Sequence, residues 1–450
     1  MPRLTIINGR VIDPANQLDE PADVVLDDGR VLEVTQLGKA AREPGPGHTV
    51  VDAAGCIVAP GMIDPHVHFR EPGQEDKETI ASGAAAAVAG GFTSVCCMPN
   101  TVPALDDEGR IDFVYRQAQR AGLANVFPVG AVTKGRAGEE LAEIALMARN
   151  GAVGFSDDGT AVARADVCAK ALSYIAMTGK VFMQHCEDPK LGGGAMNAGP
   201  IATRLGLSGW PRVAEELIIQ RDILLNRHQN FTCRYHVQHL SSGGSVELVR
   251  QARADLFGRA AITAEASPHH LLLTDEACVG YDTNHKMNPP LRERRDIEAL
   301  LEGIADGTIT VLATDHAPHT AEEKELEFAA APYGIIGLEC ALPLYARALI
   351  ETGTIDWPTM LAMLTVNPAK LCGLEGKGTL GVGGEADVTI IDPAEAWTID
   401  VHQFKSKARN CPFHGWRVQG RAAVTIVGGE IKHVTDAGRV KGTDGSVAAR

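Results

Sequence analysis

Both ends of the chain alternate apolar and polar residues, a pattern typical of half-buried β-strands. Near the N-terminus, RLTIINGRVID and ADVVLDDGRVLEV contain Asn8-Gly9 and Asp28-Gly29, dipeptides that favour two-residue hairpin turns. EADVTIIDP and AAVTIVGGEIKHV show the same alternation late in the chain. We therefore expect residues 1–60 and 375–435 to form one small β-sandwich domain built from both termini, antiparallel in its first part. A flexible Gly-, Ser- and Ala-rich tail is expected over residues 436–450.

The middle of the chain alternates short apolar runs with amphipathic segments. The apolar runs that we interpret as strands are GMIDPHVHF, FTSVCCMPN, NVFPVGAVT, AVGFSDDG, KVFMQHCE, CRYHVQHLS, AITAEASPHH and TITVLATDHAPH. Segments such as DFVYRQAQRAG and VAEELIIQRDILLNRH lie between them and have helical periodicity. This alternation predicts the α/β class and a (β/α)8 TIM barrel over residues 61–374. A doubly wound open sheet is the alternative, weakened by the lack of Gly-x-Gly-x-x-Gly after the first strand.

The charge and the cysteine content indicate which binding partners and which cellular compartment to expect. The formal net charge is -15 and no long basic run occurs, which argues against a nucleic-acid or anionic-membrane partner. An anionic substrate stays possible, since a local arginine or metal ion reverses the field inside a pocket. The start lacks the features of a secretion signal, and IASGAAAAVAGGFTSVCC is interpreted as a buried helix and strand. Ten cysteines without a Cys-x-x-Cys pair indicate a reduced cytoplasm.

Polar side chains gather where the predicted barrel strands end. They are His66, His68, Arg70, Asn100, Asp157, Asp158, His185, His236, His239, Asp315, His316 and His319. In a barrel, the carboxyl ends of all strands meet at one face, which is where active sites are built. We therefore expect these side chains to form one site.

The His-x-His pair carries the strongest chemical signal. His66 and His68 point the same way along a strand and offer two imidazoles to one ion, a ligand type that suits zinc. Asp157 and Asp315 would complete or bridge the site, and two cations would share a hydroxide nucleophile and polarise a carbonyl. Asp315 is placed to act as general base and then acid. A lone strand-end histidine is more often structural, and Asp157-Asp158-Gly159 also suits a simple turn.

The motifs, taken in order, resemble those of the dihydroorotases of the amidohydrolase superfamily. The stretches that carry the resemblance are DPHVHFREPG, MPNT, FSDDG, QHCED, HLSS, NPPLR and TDHAPHT, and they span nearly the whole chain. The match is to the long bacterial class I type. Single motifs are shared with hydantoinases and allantoinases, whereas the full set, with arginine inside HFREPG, is specific.

The resemblance implies a metal centre with two Zn2+ ions, or one in some class I enzymes. His66 and His68 would bind the more buried zinc with Asp315, Asp157 would bridge the two ions, and the second zinc would be held by His185 and His239. The sequence does not settle whether Asp157 or Asp158 bridges, and Asp157 is chosen by its place in the motif. A modified lysine at Lys134 is a further alternative.

The resemblance also implies the reaction and its substrate contacts. N-carbamoyl-L-aspartate would lose water and close reversibly to L-dihydroorotate, the third step of pyrimidine synthesis. Metal-bound hydroxide would be the nucleophile in the hydrolytic direction, with Asp315 as the proton carrier. Arg70 would grip the substrate carboxylate, and Asn100, Asn288 and His319 would fix its orientation. The segment after the eighth strand would lie over the pocket, with the backbone near Gly334 to Gly337 close to the ring amide.

Several assembly and function questions stay open at this point. A homo-oligomer and a complex with aspartate transcarbamoylase are expected from the resemblance. The alternatives are a hydantoinase or allantoinase and an inactive scaffold for aspartate transcarbamoylase. Arg70 discriminates the first, because hydantoins need not carry a carboxylate. The complete set of metal ligands argues against the second.

Overall fold

The computed structural model describes residues 3–41, 43–435 and 439–441. Eight short parallel strands form the barrel. They are β6 (Met62–Val67), β7 (Phe92–Cys97), β8 (Asn125–Pro128), β9 (Gly154–Phe155), β10 (Val181–Gln184), β13 (Arg234–Val237), β14 (Ile262–Ala266) and β15 (Val311–Leu312). Two parallel bridges, Gly130 with Phe155 and Val67 with His316, close the ring between the two hydrogen-bonded sets of strands. The predicted (β/α)8 barrel is confirmed.

Helices alternate with the barrel strands, and several of them pack against these strands. They are α1 (Ile80–Ala89), α2 (Glu108–Ala121), α3 (Ile144–Arg149), α4 (Ala165–Ala176), α5 (Pro200–Leu205), α6 (Val213–His228), α7 (Gly243–Ala254), α8 (Leu256–Ala261), α9 (Pro268–Leu272), α10 (Arg294–Ala305), α11 (Ala321–Lys324), α12 (Ala341–Tyr345), α13 (Trp357–Leu364) and α14 (Val366–Cys372). Side-chain caps start several of them: Asp107 accepts from the Arg110 N–H at the start of α2, and Thr79 forms a capping box with Ser82 at the start of α1.

A second sheet joins the two ends of the chain. Its strands are β1 (Arg3–Asp13), β2 (Leu18–Asp27), β3 (Arg30–Gln36), β4 (His48–Asp52), β5 (Ile57–Pro60), β16 (Val388–Thr398), β17 (Arg417–Val427), β18 (Glu430–Val434) and β19 (Val440–Lys441). Side chains from both ends share one hydrophobic core, for example Ile6, Val58, Ile390 and Ile426. The remaining two described strands, β11 (Met196–Asn197) and β12 (Gly209–Trp210), pair with each other in an excursion from the barrel.

The sheet differs from the sequence expectation in its strand directions. The β1–β2 and β2–β3 pairs are antiparallel as expected, but β4 and β5 run parallel to β1. The expected turn at Asn8-Gly9 is wrong, because this dipeptide lies at a register shift inside β1 and the chain turns at Pro14–Asn16. The long connection after β3 carries the chain back to the start of β1, which allows the parallel direction that a tight turn forbids. Within the predicted tail, Val440–Lys441 pairs with β4, and the other residues of 436–450, apart from Arg439, lie outside the described residues.

The barrel strands are shorter than the apolar runs that predicted them. Regular pairing in β15 ends at Leu312 and in β13 at Val237, so the polar residues that follow lie just beyond the ladder. Arg70, His239 and Asp315 have φ values of 60°, 30° and 50°. Non-glycine residues rarely adopt this region, and those that do cluster at functional sites where surrounding structure holds them. No helix within the described ranges combines the length and apolar character needed to cross a bilayer.

Candidate metal centre and substrate pocket

Asp158 lies at the centre of four buried imidazoles at the mouth of the barrel. Its Oδ1 is 3.4 Å from Nε2 of His66 and 3.6 Å from Nδ1 of His185 and Nε2 of His239. Its Oδ2 is 3.3 Å from Nε2 of His68. The four histidines therefore come from the ends of strands β6, β10 and β13, and the central carboxylate comes from the end of β9.

Asp315 approaches the same cluster from the end of β15. Its Oδ1 is 3.0 Å from Nε2 of His68 and 3.5 Å from Nε2 of His66. Burial alone would raise the pKa of Asp315, but the imidazoles of His66 and His68 outweigh it and lower that pKa to about 2.

The donor set fits divalent cations. The buried atoms His66 Nε2, Asp158 Oδ1 and His239 Nδ1 have no hydrogen-bond partner within the described part of the chain. Buried polar atoms normally have a partner, so three ligand-type atoms without one in the same cluster fit the binding of a metal ion. Two overlapping groups bring their donor atoms together, His66 with Asp158 and His239, and His66 with His68 and Asp315. Imidazole and carboxylate are both ligands of zinc.

Asp157 does not join this cluster, contrary to the choice made from the motif. Its carboxylate accepts hydrogen bonds from the backbone N–H of Val132 at 2.9 Å and of Thr133 at 3.0 Å, and from the Thr133 hydroxyl. Strand β9 ends at Phe155, so strand alternation no longer decides which of the following residues faces the barrel mouth. Asp158 faces the imidazoles, and Asp157 holds the neighbouring β8 loop.

Glu265 supports the metal centre from beneath and was missed in the sequence. It is fully buried on β14, and its Oε1 lies 2.6 Å from Nδ1 of His66 while its Oε2 lies 2.9 Å from Nε2 of His236. Burial alone would raise the pKa of Glu265, but the neighbouring His66 and His236 imidazoles lower it overall. A carboxylate on the far ring nitrogen of a metal-binding histidine fixes the ring and its tautomer. The signal in the sequence was one acidic residue inside an apolar strand, AITAEA.

The four residues predicted to bind substrate line one cavity of about 330 Å³ beside the cluster, namely Arg70, Asn100, Asn288 and His319. Asp158, His185, His239 and Asp315 line the same cavity. Two of the four also contact the histidines or their partners: Asn100 Oδ1 accepts from Nδ1 of His68 at 2.8 Å, and Asn288 Nδ2 donates to Glu187, whose carboxylate contacts His185.

Arg70 is a buried cation that forms no ion pair with the residues that the structure describes. Its Nε donates to the carbonyl of Pro318 at 3.2 Å. Burial lowers the pKa of Arg70 to about 10, which leaves it charged near neutral pH. A buried guanidinium without a carboxylate partner is costly unless a ligand supplies one.

The other candidate residues named from the sequence lie outside the cluster around Asp158. Lys134 is exposed, and its Nζ is 2.6 Å from Glu140, so it is not part of the histidine cluster. His236 hydrogen-bonds to Glu265 and does not face the Asp158 carboxylate, and His270 Nε2 donates to the carbonyl of Pro289. Gly334 lines the cavity, whereas the N–H of Gly337 donates to Nδ1 of His316.

Comparisons with known proteins agree with this geometry. A Dihydro-orotase-like family model matches residues 55–245, and an Amidohydrolase family model matches residues 294–433. A dihydroorotase from Syntrophotalea carbinolica is 48% identical over 433 residues, covering 96% of this chain and 99% of the relative. A dihydroorotase from Pelotomaculum thermopropionicum is 47% identical over 430 residues, covering 95% and 98%.

Solved structures share the fold. An L-hydantoinase (dihydropyrimidinase) from Arthrobacter aurescens matches with a TM-score of 0.83 and 26% identity, covering 96% of each chain. A dihydropyrimidinase from Brevibacillus agri matches with a TM-score of 0.79 and 22% identity, also over 96% of each chain, and shows the fold alone. Barrel and histidine cluster together define the class, a hydrolase of cyclic amides with the amidohydrolase fold. Within that class, the chain belongs to the dihydroorotase family.

Proposed function

We propose that the chain interconverts N-carbamoyl-L-aspartate and L-dihydroorotate at a two-zinc centre, as the third step of pyrimidine synthesis. The observation that carries this proposal is the presence of Arg70, a buried cation without an ion-pair partner in the described chain, in the same cavity as Asp158 and its four imidazoles. The family supplies the reaction class, and Arg70 supplies the preference for a ring that bears a carboxylate.

The ligand set is assigned from the side-chain cluster. His66, His68 and Asp315 would hold one ion, His185 and His239 would hold the other, and Asp158 lies where its carboxylate could be shared between them. Bound zinc would polarise the ring carbonyl and lower the pKa of a coordinated water. Glu265 keeps the His66 ring oriented through its Nδ1, and Asn100 does the same for His68.

The substrate is oriented by the residues opposite the metal ligands. Arg70 offers its guanidinium to the ring carboxylate in a planar, two-point contact. Asn100, Asn288 and His319 line the same cavity and offer further polar groups to the ring. These contacts hold the scissile amide beside the cluster and so reduce the entropic part of the barrier.

Asp315 is the proton carrier. Its carboxylate lines the cavity and lies within the cluster, so it can take a proton from the attacking water and deliver it to the ring nitrogen that leaves. In the direction of ring closure, Asp315 accepts a proton from the carbamoyl nitrogen as that nitrogen attacks the side-chain carboxyl group. Asp315 then delivers this proton to the displaced carboxyl oxygen, which leaves as hydroxide when the C–O bond breaks. One residue therefore serves both directions.

The proposal also includes a cytoplasmic location and two kinds of assembly. All ten cysteines are buried with free thiols, which suits a reducing cytoplasm. We place a homo-oligomer and a complex with aspartate transcarbamoylase in the same proposal. Co-purification tests the complex, and the mass of the purified chain in solution tests the homo-oligomer.

The decisive experiment is to purify the chain, count its zinc and follow ring opening of L-dihydroorotate by ultraviolet absorbance. Hydantoin and allantoin are the control substrates, because the structural neighbours include hydantoinases. We expect turnover of dihydroorotate that is lost with a chelator and restored by zinc. Turnover of hydantoin in preference to dihydroorotate would overturn the substrate assignment. A chain with no zinc and no turnover, alone or with aspartate transcarbamoylase, would favour the inactive scaffold.

A further inference from the structure

Two buried lysines, Lys286 and Lys324, lie behind one wall of the substrate cavity. They are 2% and 8% exposed, and no ion pair within the described ranges includes either of them. Lys286 comes just before the NPPLR motif, and Lys324 ends helix α11. Neither residue lines the cavity itself. The two lysines are therefore not placed to contact the substrate directly.

Both lysines donate to a single stretch of backbone, residues 329–334, which we name the wall segment. Lys286 Nζ donates to the carbonyls of Ala329 at 2.9 Å and Ala331 at 2.6 Å. Lys324 Nζ donates to the carbonyls of Pro332 at 3.0 Å and Gly334 at 3.2 Å. Four carbonyls in six residues are thus bound by two amino groups.

The wall segment belongs to no helix or strand, so side-chain donors hold its carbonyls. Asn410 Nδ2 is a further donor, to the Gly334 carbonyl at 3.0 Å, whereas the lysines are the side-chain donors to Ala329, Ala331 and Pro332. Lys286 also places its Nζ 4.6 Å from the centre of the Tyr333 ring, and its own carbonyl accepts from the N–H of Gly334 at 2.9 Å. A buried carbonyl that loses its donor carries the full cost of its desolvation. An amino group keeps at least two N–H bonds in either protonation state, which is enough for both carbonyls.

The wall segment helps to position His319, together with Glu323, whose Oε2 lies 3.0 Å from Nδ1 of that ring. The Nε2–H of His319 donates to the carbonyl of Tyr333 at 2.9 Å. A Cβ at Gly334 would lie 2.7 Å from Cδ2 of His319, so the backbone is pressed directly against the ring. Pro332, Tyr333 and Gly334 line the cavity together with His319 and Arg70.

We propose that Lys286 and Lys324 are positioning residues, which fix the wall segment and through it the orientation of His319 toward the substrate. The inference rests on the proposed function, because it takes His319 as a substrate contact. Loss of either lysine should loosen the wall and weaken substrate binding, while the metal ligands stay in place.

The test compares Lys286→Met and Lys324→Met with Lys377→Met in the zinc-loaded full chain. Lys377 is the control, because it is a half-buried lysine whose side chain is only 9% exposed, but it pairs with Asp387 and does not line the cavity. The readouts are zinc content, KM and kcat for L-dihydroorotate, and amide hydrogen exchange in peptides that cover residues 325–337.

For both test variants we expect a KM about tenfold higher, a kcat within about twofold, unchanged zinc and faster exchange in the wall segment. Lys377→Met should change neither KM nor that exchange. A KM within about twofold of wild type in a folded variant would overturn the proposal, as would a wall segment that exchanges no faster.

Backup variants and the exchange measurement separate a failure of this proposal from a failure of the proposed function. If a methionine variant does not fold, Lys286→Gln or Lys324→Gln is measured by the same criteria, since glutamine is polar but too short to reach both carbonyls. A wild-type chain that binds zinc but does not turn over dihydroorotate would overturn the proposed function. In that case the exchange measurement still decides whether the lysines hold the wall segment.

Discussion

Asp157 and Asp158 are adjacent in the chain, yet their carboxylates serve different partners. Asp158 Oδ1 lies within 3.6 Å of three imidazoles, whereas Asp157 Oδ1 accepts from the backbone of Val132 at 2.9 Å and Thr133 at 3.0 Å. One peptide therefore connects the proposed metal bridge to the loop after β8. The N–H of Asp158 also donates to Ser156 Oγ at 3.0 Å, which helps hold that peptide in place.

This relationship predicts opposite outcomes for two matched substitutions. Asp158→Asn should remove the bridging charge and lower kcat/KM at least about a hundredfold, with loss of bound zinc. Asp157→Asn should keep its zinc but lower the free energy of unfolding by about 1–3 kcal/mol, because it disturbs a buried hydrogen-bonded carboxylate. Metal analysis, kinetics and thermal unfolding of both variants check this. Zinc loss in Asp157→Asn alone would reverse the assignment.

Arg70 predicts the selectivity of the pocket. Arg70→Met should raise KM for L-dihydroorotate about a hundredfold or more, because a buried carboxylate would lose its two-point partner. A ring without a carboxylate gains nothing from Arg70, so any slow turnover of hydantoin should change little. Steady-state kinetics on both compounds measure the ratio. The control is Arg116→Met, an exposed arginine on α2 that pairs with Asp112. Equal losses on the two substrates would contradict the carboxylate role.

Glu265 predicts a metal-affinity effect at a residue that touches no substrate. Glu265→Gln should weaken zinc binding about 10- to 100-fold, since the far nitrogen of His66 would lose its carboxylate. Competition with a chromophoric chelator gives the affinity directly. His236→Gln serves as a comparison, because His236 contacts the other oxygen of Glu265 and not the imidazole cluster. A Glu265→Gln variant with wild-type zinc affinity would show that the carboxylate only fills the barrel interior.

The barrel could be predicted well from the sequence, because each of its strands and helices has a regular pattern of apolar residues. Alternating apolar runs and amphipathic segments gave all eight strands, and functional residues such as His66 and Asp315 stood at their carboxyl ends. Family and reaction class followed from the motifs and are confirmed.

Prediction failed where local periodicity ends. The choice between Asp157 and Asp158 depends on loop geometry beyond Phe155, and the parallel direction of β4 depends on a long connection. Glu265 was missed because its partners, His66 and His236, meet it only across the folded barrel. Contacts of that kind have no signature in neighbouring residues.

Lys324 predicts a pH-dependent contribution to stability. Burial lowers the pKa of Lys324 to about 7 in the folded chain, against about 10.4 for an unfolded lysine. Below pH 7 the lysine is protonated in both states, and the folded state carries the cost of a buried charge. Between about pH 7 and 10 the unfolded chain binds the extra proton, so stability from this group rises with pH.

Lys324→Met removes that titration, so the stability difference between wild type and variant should grow, in favour of wild type, from pH 7 to 10. Thermal unfolding midpoints at several pH values measure it. Lys134→Met is the control, because hydrogen bonding to Glu140 raises the pKa of Lys134 and gives no such growth. A difference that stays constant or shrinks with rising pH would show that the amino group behind the wall segment keeps its proton throughout. In that case, a permanent charge would hold the segment in place of a neutral amine.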